Sequence, residues 1–230
     1  MKKQFLFSLI LLPIAAFPFS SKDMPDNDID KLKKGELILI KRDVAKSVWP
    51  ELTLYKKIDA TPIEAAAIFM AFDHQKNYIL DIVKSRPISM DSPTSIVVEY
   101  ERKNPWPVPD EDYTNIHWFK KLPNGYHIKW QGLKSDNTEK VVGEAYFVDF
   151  GGKTLLRYTI EVHPKLKIAG MFTGTMISKT KESVEGIASY IEFSKSNKPD
   201  LMKKYKKMLS DSFKGIWSYK VLIKPEAKKK

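Results

Sequence analysis

Residues 100–113 read YERKNPWPVPDEDY, and this stretch decides how the chain folds. A strand-like run ends at Arg102, a corner with Pro105, Pro107 and Pro109 follows, and acidic residues open the next strand. Proline has no backbone N–H to give to a sheet ladder, so these prolines force a stiff connection between two strands. Strands and helices on both sides of this corner indicate a domain that encloses a cavity.

A series of antiparallel strands with short connections surrounds the corner. Asn124–Gly125 is a two-residue turn signal and Gly151–Gly152 is a second one, so two hairpins are predicted. The first turn pairs Phe119 with Trp130 and His117 with Gly132. The predicted strands are Glu36–Lys41, Glu51–Asp59, Leu80–Ile88, Ser95–Arg102, Asp112–Leu122, Tyr126–Lys134, Lys140–Phe150 and Thr154–Val162, and Ser218–Lys224 is a candidate for a last strand paired with the first.

Helix signals stand before and after these strands. Thr61 suits an N-cap, Pro62 the first helical position and Glu64 the capping box, which predicts a helix through Phe72 and a helical turn near 74–78. Helical spacing of apolar residues between about 172 and 193 predicts one long helix on the sheet. Its apolar stripe comprises Ile177, Thr180, Val184, Ile187, Ala188 and Ile191.

The two ends of the chain differ from its middle. Lys2 and Lys3 precede the apolar run Phe5–Ala16, which is too short to span a bilayer comfortably. We interpret residues 1–20 as a signal peptide and expect an exported, periplasmic protein; an uncleaved anchor is the alternative. Residues 21–35 are polar and predict a linker. The absence of cysteine excludes disulfides and cysteine-based zinc sites or nucleophiles.

The positive charge of the chain is concentrated in residues 199–230. The net charge is +11, and this segment holds ten lysines against Asp200, Asp211 and Glu226. From Pro199 the segment predicts a basic amphipathic helix, which either docks on an anionic membrane or packs on the domain with its lysines in solvent. Nucleic acid is not an expected partner. The predicted apolar side of this basic helix comprises Leu201, Tyr205, Met208, Leu209 and Phe213.

Four segments in this order resemble the START-like helix-grip superfamily, also called the polyketide cyclase (SRPBCC) superfamily. They are residues 58–65 (IDATPIEA), the corner at 105–113, the hairpin at 143–158, and the long helix after 163–164. The resemblance implies an α+β helix-grip fold over residues 36–198, in which a curved antiparallel sheet wraps around a long C-terminal helix with an internal apolar cavity. Many bacterial members have an arginine where this chain has Glu111, so the ion pair of that arginine is absent or reversed here.

Catalytic chemistry has few candidates in this sequence. His74, His117, His127 and His163 have no metal-ligand partner at sensible spacing, and the predicted hairpin puts His117 and His127 on opposite faces. Asp110 and Asp112 either form an acidic site with Glu111 or accept hydrogen bonds from backbone amides at the corner. We predict no catalytic residue, no metal and no cofactor.

Aromatic residues are dense in the elements that the resemblance places around the cavity, and methionine adapts to apolar ligands of different shape. Arg157 is expected at the surface, or with a carboxylate or a ligand headgroup if it is buried. The loop from Lys165 to Gly174 is expected at the cavity mouth, where it gates entry. The candidate lining residues are Phe69, Phe72, Tyr100, Trp106, Trp118, Trp130, Tyr146, Arg157, Tyr158, Met171, Met176, Ile177 and Val184.

Three functions remain open from the sequence. The leading hypothesis is a monomeric, non-catalytic protein that binds and transports a lipid or other hydrophobic ligand. The second is a cyclase or aromatase type of enzyme, with Arg157, His117 or Tyr158 as the polar group in the cavity. The third is a protein-interaction module whose cavity is filled by its own side chains and whose basic tail makes the contact.

Overall fold

The structure is a computed structural model that describes residues 26–104 and 109–223. The predicted signal peptide (residues 1–20) lies outside the described residues, as do Trp106 at the proline corner and the lysine-rich end at 224–230.

Within the described part of the chain, eight antiparallel strands form one sheet, as the sequence predicts. In the order β1-β2-β8-β7-β6-β5-β4-β3, each strand pairs with its neighbour, and β1 and β3 are the edges. Short connections follow the chain from β3 to β8, so this part of the sheet is a meander. The strands are β1 (Ile38–Arg42), β2 (Glu51–Ile58), β3 (Ile82–Ser92), β4 (Ser95–Arg102), β5 (Glu111–Leu122), β6 (Gly125–Ser135), β7 (Thr138–Phe150) and β8 (Lys153–Pro164).

Residues 26–104 and 109–223 also form four α-helices. Part of the predicted linker is a helix, α1 (Asp26–Lys33), and its Leu32 is fully buried. Helix α2 (Pro62–Phe69) begins where the capping-box pattern predicts, and Glu64 Oε2 accepts a hydrogen bond from the Thr61 backbone N–H at 2.9 Å. The long helix α3 (Thr173–Asn197) and the basic helix α4 (Pro199–Ser212) follow the last strand.

The β5–β6 hairpin differs in register from its prediction. Leu122 pairs with Gly125, so the turn is at 123–124, and His117 pairs with Trp130 rather than Gly132. A Cβ on Gly125 would lie 2.0 Å from the Phe147 carbonyl oxygen of β7. Gly125 is therefore needed for close approach between strands rather than for the turn. Because the shift is two residues, His117 and His127 still lie on opposite faces.

The predicted last strand is a second correction. Residues Ser218–Leu222 form a 3-10 helix, and β1 pairs with β2 alone among the described strands. Tyr219 is fully buried, and its ring packs against those of Phe72 and Phe119 at centroid distances of 6.1 and 5.7 Å. A short apolar run predicts burial, but it does not distinguish a strand from a helical turn.

Helix α3 packs across the concave face of the sheet through Val184, Ile187, Ala188 and Ile191, which are all buried. The main core extends from this stripe through α2 to the inward-facing residues of the strands. Among residues 26–104 and 109–223, no helix has the length and apolar character needed to cross a membrane.

Candidate functional site

A cavity of about 280 Å³ remains between α3 and the concave face of the sheet. The sheet contributes the inward-facing residues of β4 to β8, and the helix contributes the face near its N-terminus. Most of these side chains are apolar or aromatic. The cavity wall includes Phe69, Trp130, Tyr158, Ile160, Met176 and Ile187.

Five of the predicted lining residues line this cavity. Helix α2 provides Phe69 and α3 provides Met176, while the sheet contributes three aromatic side chains. The Phe69 and Trp130 rings lie 6.1 Å apart, and Trp130 lies 5.2 Å from Tyr158, so the aromatic residues form one connected wall. The five are Phe69, Tyr100, Trp130, Tyr158 and Met176.

Strand alternation places three other predicted lining residues on the convex face. Ala145 pairs with Tyr158 on the concave face, so the adjacent positions Tyr146 and Arg157 point outward. Trp118 follows His117 in β5, also points outward, and is 41% exposed. Whether a strand residue lines the cavity therefore depends more on which face of the sheet its position in the strand alternation gives it than on its residue type.

Arg157 lies in an outer cluster rather than in the cavity. Its guanidinium carbon lies 4.2 Å from the centre of the Tyr146 ring, and Nη2 forms an ion pair with Glu144 Oε1 at 2.5 Å. The Glu144 carboxylate also lies 3.0 Å from His127 Nε2. Burial opposes ionisation of Glu144, but hydrogen bonds from His127 and the charge of Arg157 lower its pKa. The expectation of a carboxylate partner for Arg157 is met on the convex side.

The remaining candidates among the described residues lie outside the lining as well. Phe72 is fully buried against His117, with the ring centres 4.8 Å apart. Val184 is buried in the core, and Ile177 packs against its edge. Met171 is 81% exposed, so it is a surface residue next to the cavity mouth.

A chain of hydrogen bonds runs along the cavity wall. Gln75 Nε2 donates to the Phe69 carbonyl at 3.0 Å, and Tyr100 Oη donates to Gln75 Oε1 at 2.6 Å. Tyr100 Oη is also 3.0 Å from His117 Nε2. Burial lowers the pKa of His117 to about 3 and raises that of Tyr100 well above its ordinary value. Both side chains are therefore neutral at physiological pH.

Opposite charges face each other near the mouth of the cavity. Arg102 in β4 pairs in register with Glu111 in β5, and both line the cavity. Glu111 is 6% exposed and accepts hydrogen bonds from Ser135 Oγ and from Thr138 Oγ1. Burial alone would lower the pKa of Arg102, but Tyr113 and Glu111 beside it raise the value. The acid at position 111 thus lies opposite a basic residue of the neighbouring strand.

The other polar candidates have structural surroundings. Asp110 Oδ1 accepts a hydrogen bond from the Asn104 backbone N–H at 3.1 Å, and its Oδ2 lies 2.7 Å from Lys103 Nζ. Hydrogen bonds from Lys103 and from this amide lower the Asp110 pKa. His163 Nε2 contacts Glu161 at 2.6 Å. The described side chains contain no group of three histidines or acids that could hold a metal ion.

The segment between β8 and α3 forms part of the cavity mouth. It contains a 3-10 helix (Lys167–Phe172), and Trp49 Nε1 fastens this helix by donating to the Ala169 carbonyl at 2.8 Å. Leu166 and Ile168 line the mouth and remain more than half exposed. We refer to Leu166, Ile168 and Met171 as the apolar rim.

Several cavity residues were not among the predicted lining residues. Tyr113, Asn115 and His117 alternate on the concave face of β5, and Gln75 follows α2 in a 3-10 helix (Phe72–Asn77). Of these four, only His117 was expected in the cavity, as a polar group under the enzyme hypothesis. Period-two alternation from Phe119 would have identified the β5 residues once the sheet face was known. No comparable sequence signal indicates Gln75, because its position depends on the packing of a short irregular segment.

No protein-family model matches the sequence, and no curated protein matches it. Several solved structures are similar to the structure of this chain. A STAR-related lipid transfer protein from Xanthomonas axonopodis superposes with a TM-score of 0.59 and 13% identity, covering 67% of this chain and 93% of that one. Human STARD10 superposes with a TM-score of 0.55 and 12% identity, covering 82% of this chain and 88% of that one. The Zhui aromatase/cyclase from Streptomyces superposes with a TM-score of 0.53 and 10% identity, covering 63% of this chain and 94% of that one. With this sheet, helix and cavity, the chain has the START-like helix-grip fold.

Proposed function

We propose that this protein binds a lipid or another hydrophobic molecule in the cavity between the sheet and α3, and carries it as a monomer without chemical change. The observation that supports this proposal is the aromatic and aliphatic wall formed by Phe69, Trp130, Tyr158 and Ile187. Removing an apolar ligand from water into such a wall is favourable. The apolar rim gives the ligand a route between the cavity and a membrane or another carrier.

Two structural similarities point to different functions. One similar structure is named a lipid transfer protein, and another an aromatase/cyclase. The state of His117 favours the first function for this chain. A general base acts best with a pKa near the working pH, whereas burial lowers that of His117 to about 3.

The enzyme remains a second candidate because Arg102 and Glu111 both face the cavity. Beside a bound polyketide chain, the Glu111 carboxylate would accept a proton and the Arg102 guanidinium would polarise a carbonyl oxygen while keeping its own proton. Replacing Glu111 with Gln would then abolish turnover of a poly-β-ketone substrate while leaving ligand binding in place. A carrier would show no turnover in either form.

The test of ligand binding uses two variants of one helix. Met176 lines the cavity, so Met176→Trp is expected to fill it and lower uptake of Nile red at least tenfold. Ser178 is exposed on the same helix, so Ser178→Trp is expected to leave uptake unchanged. Native mass spectrometry and lipid extraction of the wild-type protein would identify the natural ligand. A wild-type protein that holds no lipid and takes up no dye contradicts the proposal.

We also propose that the protein is exported and that its basic end docks on anionic membranes. The signal-like residues 1–20 support export, and the ten lysines of residues 199–230 support docking. Intact-mass measurement of the protein from its own cells would detect loss of about twenty residues. Docking predicts co-sedimentation with phosphatidylserine vesicles that falls with salt and with Lys228, Lys229 and Lys230 changed to Glu.

A further inference from the structure

Two neighbouring side chains in the cavity wall each have an acceptor atom without a partner. Asn115 and His117 occupy alternate positions of β5 and both line the cavity. They are 6% and 4% exposed. Among the described residues, neither Asn115 Oδ1 nor His117 Nδ1 has a hydrogen-bond partner. A buried polar atom without a partner costs free energy, so these two atoms call for an explanation.

The hydrogen-bond chain determines which His117 nitrogen has the proton. Gln75 Nε2 donates to the Phe69 carbonyl, which directs the amide oxygen of Gln75 toward Tyr100. The Tyr100 hydroxyl gives its single proton to that oxygen, so it can only accept from His117 Nε2, 3.0 Å away. His117 is therefore protonated at Nε2, and Nδ1 has a lone pair.

His117 cannot remove this unmet acceptor by taking up a second proton. Burial lowers its pKa to about 3, so the imidazole is neutral across the physiological range. The Phe72 ring packs against the imidazole at 4.8 Å and offers no hydrogen-bond donor. What would satisfy Nδ1 is a donor from outside the described chain.

We propose that the cavity binds an uncharged, largely apolar ligand with one hydroxyl or N–H group, which donates a hydrogen bond to His117 Nδ1 and contacts the Asn115 amide. This inference rests on the proposed function and names its ligand class. A carboxylate or phosphate has no proton to offer and would face two lone pairs at this position. Neither acceptor atom is exposed in this structure, so the donor arrives with a small displacement of lining side chains.

The test compares two ligands that differ by their donor, 1-dodecanol and dodecyl methyl ether, as competitors of bound Nile red. The quantity compared is the concentration of ether divided by the concentration of alcohol that displaces half of the dye. This ratio is expected to be about tenfold higher for the wild-type protein than for His117→Phe. Tyr100→Phe is expected to reduce the preference, because without the Tyr100 hydroxyl the proton of His117 can move to Nδ1. The matched control is His127→Phe on the convex face, which should keep the full preference.

The outcomes separate this inference from the proposed function. If the wild-type protein takes up no Nile red, the proposed function fails and the inference fails with it. If the wild-type protein takes up dye but prefers the alcohol no more than His117→Phe does, the inference alone is contradicted. Dye uptake with displacement by neither compound contradicts it as well. If His117→Phe does not fold, Tyr100→Phe provides the comparison, and an unchanged preference in that variant contradicts the inference.

Discussion

Trp130 depends on a single glycine for its place in the cavity wall. A Cβ on Gly143 would lie 2.2 Å from Cζ2 of the Trp130 ring. Gly143→Ala must therefore displace the indole, and we expect a loss of about 1–3 kcal/mol in the free energy of unfolding in urea. In Gly174→Ala a Cβ would meet nothing within 4 Å. That control is expected to be neutral or slightly stabilising, and an equal loss in both variants would contradict the close packing.

His117 also makes the stability depend on pH. Burial lowers its folded-state pKa from 6.5 to about 3, so between these values the unfolded chain binds a proton that the folded chain does not. Stability is therefore lost as the pH falls below about 6.5. We expect the difference in unfolding free energy between wild type and His117→Phe to change by about 1.4 kcal/mol per pH unit between pH 6 and 4. A difference that stays constant over this range would show that His117 titrates normally.

Single residues of the cavity could be predicted from the sequence only in part. Tyr146 and Tyr158 are equally aromatic, yet one points outward and the other inward, because the β7–β8 register pairs Ala145 with Tyr158. Register depends on turns and bulges, and a shift of one residue reverses the face of every side chain. The β5–β6 pairing skips Leu133 of β6, between the pairs of Thr114 and Asn115, whereas β5 itself continues without interruption. Alternation along β5 therefore places Asn115 on the same face as Phe119, but the sequence alone does not show which face is concave.

The apolar side of helix α4 packs on the domain, which is one of the two roles considered for this basic amphipathic segment. Tyr205 is fully buried, and its hydroxyl donates a hydrogen bond to Asp73 Oδ1. We expect Tyr205→Ala to lower the free energy of unfolding by about 3–5 kcal/mol, because a large cavity remains and the hydrogen bond to Asp73 is lost. Lys203→Ala on the exposed side should change it by less than about 0.5 kcal/mol. Similar small effects of both changes would mean that α4 is not part of the folded core.

Secondary-structure elements with strong local signals were predicted well. Helix α2 begins at Pro62 after its N-cap residue, and the turn at 151–152 joins β7 and β8 as predicted. The segments at the two chain ends were predicted less well: α1 lies in the predicted linker, and Ser218–Leu222 is helical. These are short segments whose conformation depends on the domain surface against which they pack.

At the scale of the whole molecule, the cavity mouth and the 3-10 helix Ser218–Leu222 lie at opposite ends of β5. Glu111, the first residue of β5, lines the mouth, whereas Phe119 near its other end packs against Tyr219. Eight residues of strand separate them, roughly 26 Å. The apolar rim and the exposed Val221 are thus two distant surfaces. If the protein docks on a membrane through the side that carries Ser218–Leu222, its mouth faces away from that contact and ligand entry is a separate event.

This separation predicts different effects for two equally exposed residues. Met171 at the rim is 81% exposed and Val221 at the other end is 75% exposed. If the ligand enters through the mouth, Met171→Asp should slow Nile red uptake from phosphatidylserine vesicles severalfold, because a charge at the rim opposes contact with the acyl region. Val221→Asp should leave that rate unchanged, and stopped-flow fluorescence measures both. An equal slowing by Val221→Asp would mean that the ligand does not enter at the rim. Uptake of dye from solution should stay the same in both variants, since neither residue lines the cavity.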